Sequence, residues 1–206
     1  MNDFAFPVNV KTIEMKDREW EIYYPALICL TNQSMMKQLN EAIYQKMRRL
    51  VLNQFAAQQT NTFAQMIGQY EIKTNERSLF SLTQSNYAIK PQAANGLSIM
   101  NSLTADTKTG ETFRLQDLFK KGSNYIDVLS AHVRHQLKVR DIPTFEESVT
   151  IKKNQPFYIA DKCLVLYFQA LEITPHYVGI PMFPISVFDL EDITKDGGAL
   201  DRLASS

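Results

Sequence analysis

The segment from Phe157 to Leu190, FYIADKCLVLYFQALEITPHYVGIPMFPISVFDL, constrains the fold of this chain more than any other. It places hydrophobic runs typical of β-strands beside a loop rich in proline and aromatic residues. Phe157–Gln169 predicts a tight hairpin. Pro184–Leu190 predicts an edge strand, because proline cannot donate a hydrogen bond within a central strand. The segment holds no catalytic signature, and it therefore predicts the core of a sheet next to a surface that can hold a partner.

The rest of the chain alternates between strand patterns and helix patterns. Val8–Met15 and Trp20–Leu30 alternate apolar and polar residues, which predicts two strands. Apolar residues then recur every three or four positions and predict a long amphipathic helix: Met36, Leu39, Ile43, Met47, Leu50, Val51 and Phe55. Three further strands, a second helix and a frayed tail are predicted downstream: Ala64–Lys73, Leu79–Lys90, Leu97–Asp106, Ser123–Arg140 and the residues from Asp196 onward.

This order of strands, helix, strands, helix and strands predicts an α+β fold. We expect mostly antiparallel sheets, two main helices packed on them, and two intimately packed subdomains. A break near Pro91 or near Asp106 separates the two subdomains, and we place them at 1–92 and 93–206. A chain of 206 residues buries enough surface to fold without disulfides or a metal. Cys29 and Cys163 are therefore predicted to be buried thiols and not a disulfide.

Composition and charge exclude several classes of protein. The 22 basic and 22 acidic residues cancel, which argues against nucleic acid as a partner, because phosphate binding depends on clustered positive charge. Residues 1–10 lack the basic start and apolar core of a signal peptide. No run reaches the roughly 18 to 20 apolar residues of a membrane helix, so we expect no membrane insertion. The chain as given is predicted to be soluble and cytoplasmic.

Sequence patterns of catalysis are missing. The chain lacks Gly-x-Ser-x-Gly, and its glycines have neither P-loop nor dinucleotide-binding spacing. His132 and His135 lie three apart on the second predicted helix, and we interpret them as surface histidines and not as zinc ligands. Glu146–Glu147 and Glu191–Asp192 lie in hydrophilic stretches, where paired carboxylates are usually solvated. We therefore predict that the chain is not an enzyme and needs no cofactor or metal.

In the absence of catalytic patterns, we expect the chain to bind a partner through the shape of its surface. Ile173–Pro184 combines prolines with His, Tyr, Met and Phe, and rigid aromatic loops bind partners with little loss of entropy. Two interpretations of these rings stay open: they form a contact surface, or they cover the open edge of the sheet and complete its core. The loop Pro91–Gly96 is the second candidate for contacts. The predicted partner-binding residues are Asn95, Pro175, His176, Tyr177 and Phe183.

Four blocks of the sequence resemble a bacterial domain family: YEIKTNERSLFSLTQSNYAI, SLTADTKTGETFRLQDLFKKGSNYIDVLS, FYIADKCLVLYFQ and EITPHYVGIPMFPI. This RsiV-like family is shared by the extracellular domain of a lysozyme-sensing anti-sigma factor and the N-terminal region of a peptidoglycan deacetylase. The resemblance implies a non-enzymatic binding module whose partner is a protein, such as a lysozyme, or a glycan. Asn95 stands at a turn where relatives usually have His, and Gly96 is expected to supply a positive φ angle there.

Two other functions stay open at this point. One is an accessory domain of cell-envelope polysaccharide metabolism, which predicts a cleft with two converging acids or a metal. The other is an intracellular structural homo-oligomer that pairs through edge strands, which predicts self-association at high concentration.

Overall fold

A computed structural model describes residues 8–28, 30 and 32–204. The prediction for Cys29 therefore lies outside the described residues. Contacts within the chain divide it into two compact units, Met1–Thr112 and Phe113–Ser206. The boundary between these units, after Thr112, lies later in the chain than the predicted boundary at residue 92 and closer to the alternative near Asp106.

The first unit is built on a five-stranded sheet with the order β1-β2-β3-β4-β5. Its strands are β1 (Asn9–Lys16), β2 (Trp20–Ile28), β3 (Gln65–Glu76), β4 (Leu79–Ile89) and β5 (Leu97–Asp106). All neighbours are antiparallel except β2 and β3, which pair in parallel over a short stretch. β4 and β5 pair along their whole length, from Leu79 opposite Asp106 to Ala88 opposite Leu97. A boundary after residue 92 would separate these two hydrogen-bonded strands.

The helix α1 (Gln33–Gln58) connects the parallel strands β2 and β3, as a crossover between parallel strands requires. It begins at Asn32, whose side-chain oxygen accepts a hydrogen bond from the Met35 amide at 3.1 Å. Four of the seven predicted apolar positions are buried, Leu39, Ile43, Met47 and Leu50, and the other three are half-buried. Leu39 and Ile43 pack on the sheet against five buried residues: Leu27, Phe80, Leu82, Leu103 and Ala105. Met47 belongs to a second buried cluster, with Ile22, Phe63, Met66 and Ala88.

The second unit holds an antiparallel sheet with the order β6-β7-β8. Its strands are β6 (Phe157–Ala160), β7 (Cys163–Tyr167) and β8 (Met182–Ser186). The helix α2 (Tyr125–Val139) packs against β8 and buries the predicted positions Leu129, Val133 and Leu137. Three short 3-10 turns are also present: Leu115–Leu118, His176–Val178 and Val187–Leu190. The predicted α+β class with mostly antiparallel sheets is confirmed.

Several local predictions are corrected by the structure. The tail does not fray after Asp196, because Leu200 and Leu203 are buried on a short helix, α3 (Ala199–Ala204). Cys163 is half-buried and free, and its pKa is raised mainly by burial. Among the described residues, none of the helices combines the length and apolarity needed to cross a bilayer.

Candidate functional site

Residues 173–179, which we name the aromatic loop, carry three of the five predicted contact residues. Pro175 precedes the 3-10 turn, and the Val178 amide donates to the Pro175 carbonyl at 3.0 Å. Tyr177 is 78% exposed, which is more than any other large hydrophobic side chain among the described residues. His176 is also exposed, and Pro175 is half-buried. Thr174 is completely buried, so the loop is fixed at its base and projects at its tip.

Gly179 sets the direction in which the backbone leaves the aromatic loop. Its φ of 73° and ψ of −135° lie where side-chain-bearing residues are strained. No heavy atom of the described residues lies within 4 Å of a Cβ placed on Gly179. Glycine is therefore required here by backbone conformation and not by lack of space.

Side chains of α2 and of Arg140, the residue that caps its C-terminal end, hold the strand that follows the loop. Arg140 Nη1 donates to the Met182 carbonyl at 2.7 Å, and Gln136 Nε2 donates to the Pro184 carbonyl at 2.8 Å. The Arg140 guanidinium also lies 5.6 Å from the centre of the Phe183 ring, in a cation–π arrangement. Backbone acceptors at the edge of β8 are thus occupied by side chains of the same unit.

The structure removes Phe183 from the predicted contact surface. Its side chain is 0% exposed, and its ring meets Phe168 edge to face at 5.9 Å. In the strand β8, Phe183 and Ile185 point inward while Pro184 is exposed. Phe183 therefore follows the second interpretation of the aromatic run, in which rings complete the core.

Two apolar residues that the sequence reasoning missed lie beside the aromatic loop. The Phe145 amide donates to the Ile173 carbonyl at 3.0 Å, which places the 59% exposed Phe145 next to the loop. Leu171 is 50% exposed and has a φ of 66°. Both side chains are exposed, as is that of Tyr177. The position of Phe145 carries no sequence signal, because it depends on a contact with a segment that is distant in the chain.

A charged pair supports the start of the aromatic loop. Lys152 Nζ lies 2.6 Å from Glu172 Oε1, and Glu172 Oε2 accepts a hydrogen bond from the Gln169 amide at 2.8 Å. Glu172 thus uses both carboxylate oxygens on partners within the second unit. This leaves the apolar side chains and His176 as the groups that the loop presents to solvent.

Asn95 lies in the first unit, in the loop between β4 and β5, and is exposed. The expectation for Gly96 is wrong, since the positive φ in this loop belongs to Gln92 at 62°. A Cβ placed on Gly96 would overlap the Tyr87 ring. Glycine is needed there because an aromatic ring packs directly on the backbone.

The other titratable residues singled out in the sequence are exposed or half-buried. His135 is exposed and His132 is half-buried on α2, and both carboxylate pairs, 146–147 and 191–192, are exposed. Within the described part of the chain, no group of three or more His, Cys, Asp or Glu side chains is placed to hold a metal ion.

Comparison with known sequences supports the resemblance for part of the chain. Residues 116–187, which include the aromatic loop, match the family described as "Protein of unknown function (DUF3298)". The chain is also 26% identical over 179 residues to the anti-sigma-V factor RsiV of Bacillus subtilis (strain 168). That match covers 80% of this chain, and the chain spans 61% of the length of that relative.

Two crystal structures share the fold. A member of the DUF3298 family from Bacteroides fragilis NCTC 9343 has a TM-score of 0.69 at 12% identity, with 100% of both chains covered. A DUF3298 family protein from Pseudomonas aeruginosa PAO1 has a TM-score of 0.65 at 14% identity, with 92% of this chain and 95% of that chain covered. These two structures establish a common fold. The resemblance to a deacetylase region stays a prediction.

Proposed function

We propose that this chain is a non-enzymatic protein-binding module that uses the aromatic loop as its contact. The observation that carries this proposal is the exposure of Tyr177 on a backbone restricted by Pro175 and Gly179. A side chain that is already ordered loses little entropy on binding, and tyrosine is among the residues that contribute most to interfaces. His176 adds a ring with hydrogen-bonding nitrogens beside it.

The similarity to an anti-sigma factor supports a protein as the partner, since that relative is named for acting on a sigma factor. The family resemblance of the sequence blocks implies a lysozyme as the first protein to test. The aromatic loop lies inside the region that matches the family, whereas Asn95 lies outside it. We therefore place the main contacts at His176 and Tyr177 and not at the loop that contains Asn95.

Calorimetric titration with an animal-type lysozyme tests the proposal. We expect stoichiometric binding, and we expect Tyr177→Ala and His176→Ala each to weaken it about tenfold, or about 1.4 kcal/mol. Phe188→Ala is the matched control, because Phe188 is an exposed aromatic residue of the same unit outside the loop. A flat trace with folded protein rejects lysozyme as the partner. Equal weakening by Phe188→Ala rejects the aromatic loop as the contact.

Self-association is a less favoured function on one structural ground. The Met182 and Pro184 carbonyls of β8 already accept hydrogen bonds from the Arg140 and Gln136 side chains, which opposes pairing with a second copy at that edge. The role in cell-envelope polysaccharide metabolism, the cytoplasmic location and the lack of enzymatic activity stay predictions from the sequence.

A further inference from the structure

We infer that the first unit contains a binding pocket for a neutral saccharide, built around Trp20. The pocket has a volume of about 450 Å³ and lies where the turn between β1 and β2 meets the start of β3. We name it the tryptophan pocket. The lining residues that carry the argument are Lys16, Arg18, Glu19, Trp20, Glu21 and Gln65. Its volume lies within the range of about 300 to 1,000 Å³ typical of small-molecule sites.

Backbone hydrogen bonds hold the walls of the pocket. The Met66 amide donates to the Glu19 carbonyl at 2.8 Å, and Trp20 lies opposite Met66 in the parallel ladder between β2 and β3. The Asp17 amide donates to the Trp20 carbonyl at 2.9 Å, which closes the turn. The pocket is therefore formed by regular sheet structure and is present before a ligand arrives.

Trp20 is one of the lining residues of the pocket. Its half-buried ring packs at 5.6 Å against Phe55, on the border of a buried cluster that includes Phe63 and Met66. Its indole N–H makes no hydrogen bond to another residue that the structure describes. A tryptophan ring offers apolar area together with one hydrogen-bond donor, which suits a ligand with both C–H faces and hydroxyl groups.

The polar and charged side chains of the pocket fall into two sets. Asp17 belongs to the engaged set, because its Oδ1 accepts a hydrogen bond from the Arg18 amide at 2.8 Å. Glu21 is already engaged, since it accepts a hydrogen bond from the Tyr23 hydroxyl at 2.6 Å and pairs with Lys16 at 3.2 Å. The side chains of Arg18, Glu19 and Gln65 are exposed and form no hydrogen bond or ion pair with another described residue.

This set of side chains selects the chemistry of the ligand. Arg18 supplies donors, Glu19 supplies acceptors, and the amide of Gln65 supplies both. The lining carries two basic side chains, Lys16 and Arg18, and three acidic ones, Asp17, Glu19 and Glu21, so a charged ligand of either sign meets a like charge. Hydroxyl groups both donate and accept hydrogen bonds, and a neutral saccharide therefore matches the pocket better than a phosphate or an amine does.

The fluorescence of Trp20 tests the pocket directly, because Trp20 is the single tryptophan of the chain. We expect a saturable change in its emission during titration with triacetylchitotriose, cellotriose or maltotriose, and protection of the indole from acrylamide quenching. Concentrations about ten times a millimolar dissociation constant suffice for a weak site. A flat titration with all three sugars overturns the inference, and so does a response only to a charged dipeptide.

Variants inside and outside the pocket test whether a saccharide binds to the lining residues or elsewhere on the surface. Gln65→Ala and Arg18→Ala should each weaken saccharide binding at least about fivefold. Gln69→Ala is the control, since Gln69 is an exposed glutamine on the same strand outside the pocket. Equal effects of Gln65→Ala and Gln69→Ala overturn the inference. Tyr177→Ala should leave saccharide binding unchanged because the aromatic loop contributes no lining residue, so this result is independent of the proposed function.

Discussion

The aromatic loop and the tryptophan pocket present aromatic residues in opposite ways. Tyr177 projects into solvent from a short turn, whereas Trp20 is half-buried within a recess of the sheet. The loop is held by the conformation of Gly179 and by the anchored strand that follows it, and the pocket is held by strand pairing. A projecting ring suits the surface of a large partner, and a half-buried ring among polar side chains suits a small one.

The comparison also shows why residue type alone does not identify a contact. Phe183 and Tyr177 belong to the same aromatic run, but only Tyr177 is exposed. The difference arises because Phe183 lies on the inward face of β8, while Tyr177 lies on the 3-10 turn His176–Val178, which contains no buried residue. Variants at both positions therefore measure core packing and surface presentation separately.

The largest expected effect is the loss of stability when the buried Phe183 is replaced. Phe183→Ala should lower the free energy of unfolding by about 3 to 5 kcal/mol, because it removes a fully buried ring. Tyr177→Ala should change it by no more than about 0.5 kcal/mol, as expected for an exposed side chain. Chemical denaturation of both variants measures the difference. Equal losses of stability would contradict the assignment of the two rings.

The second effect concerns the backbone of the aromatic loop. Gly179→Ala should cost about 1 to 2 kcal/mol of stability, because it forces a side chain into a positive-φ conformation. Gly122→Ala is a matched control, since Gly122 has a φ of 80° and similar open space. We expect comparable losses of melting temperature but weaker partner binding only for Gly179→Ala. Reduced binding in both variants would indicate a general loss of structure.

The third prediction tests whether Arg140 holds β8 through its hydrogen bond to Met182 or through its charge alone. Arg140→Ala should lower stability by about 1 kcal/mol through loss of the hydrogen bond to Met182, discounted because Arg140 is exposed. Amide hydrogen exchange should accelerate in Met182–Ser186, and the emission of Trp20 should stay unchanged. Arg140→Lys keeps the charge but loses the planar donors, so it should resemble Arg140→Ala. If the amides of Met182–Ser186 exchange as slowly in Arg140→Lys as in the unchanged protein, the charge alone holds the strand.

The smallest effect is a titration at the edge of the tryptophan pocket. The hydrogen bond to Glu21 is the main cause that raises the pKa of Tyr23 to about 12. Because the folded-state pKa is raised, this contribution to stability is fully present below about pH 10, the pKa of an unfolded tyrosine, and is lost as the pH rises through about 12. Burial also raises the pKa of Tyr24 and of Tyr125, so ultraviolet titration should show several late phenols, of which the one near pH 12 disappears in Tyr23→Phe. A Tyr23→Phe curve identical to that of the unchanged protein would contradict the Tyr23–Glu21 hydrogen bond.

The pKa of Glu21 is shifted downward, in the opposite direction to that of Tyr23. Hydrogen bonds from Tyr23 and Lys16 hold the pKa of its carboxyl below the usual range. Its contribution to stability is therefore present above the unfolded-state pKa and is lost as the pH falls through the lower folded-state value. The geometry of this edge of the pocket is thus retained at neutral pH.

The main elements of the fold were predictable because each has a local periodicity. The spacing of Leu39, Ile43, Met47 and Leu50 specifies one face of α1, and α2 shows the same spacing from Leu129 to Leu137. A helix or strand buries its apolar positions at its own repeat, so the repeat is visible in the sequence. The tail was misjudged because Gly197 and Gly198 precede a helix of only six residues, in which few apolar positions repeat.

The sequence by itself determined the α+β class and the central apolar face of the long helix. It placed His176 and Tyr177 in a loop that contains prolines, but it left open whether their rings are exposed. Tertiary structure alone decided that Phe145 lies beside that loop and that Trp20 lines a pocket with Gln65. Both arrangements join segments that are distant in the chain. The physical reason is that the hydrophobic periodicity of a segment shows only which of its own faces is apolar. A binding site depends on which other segments pack against that segment.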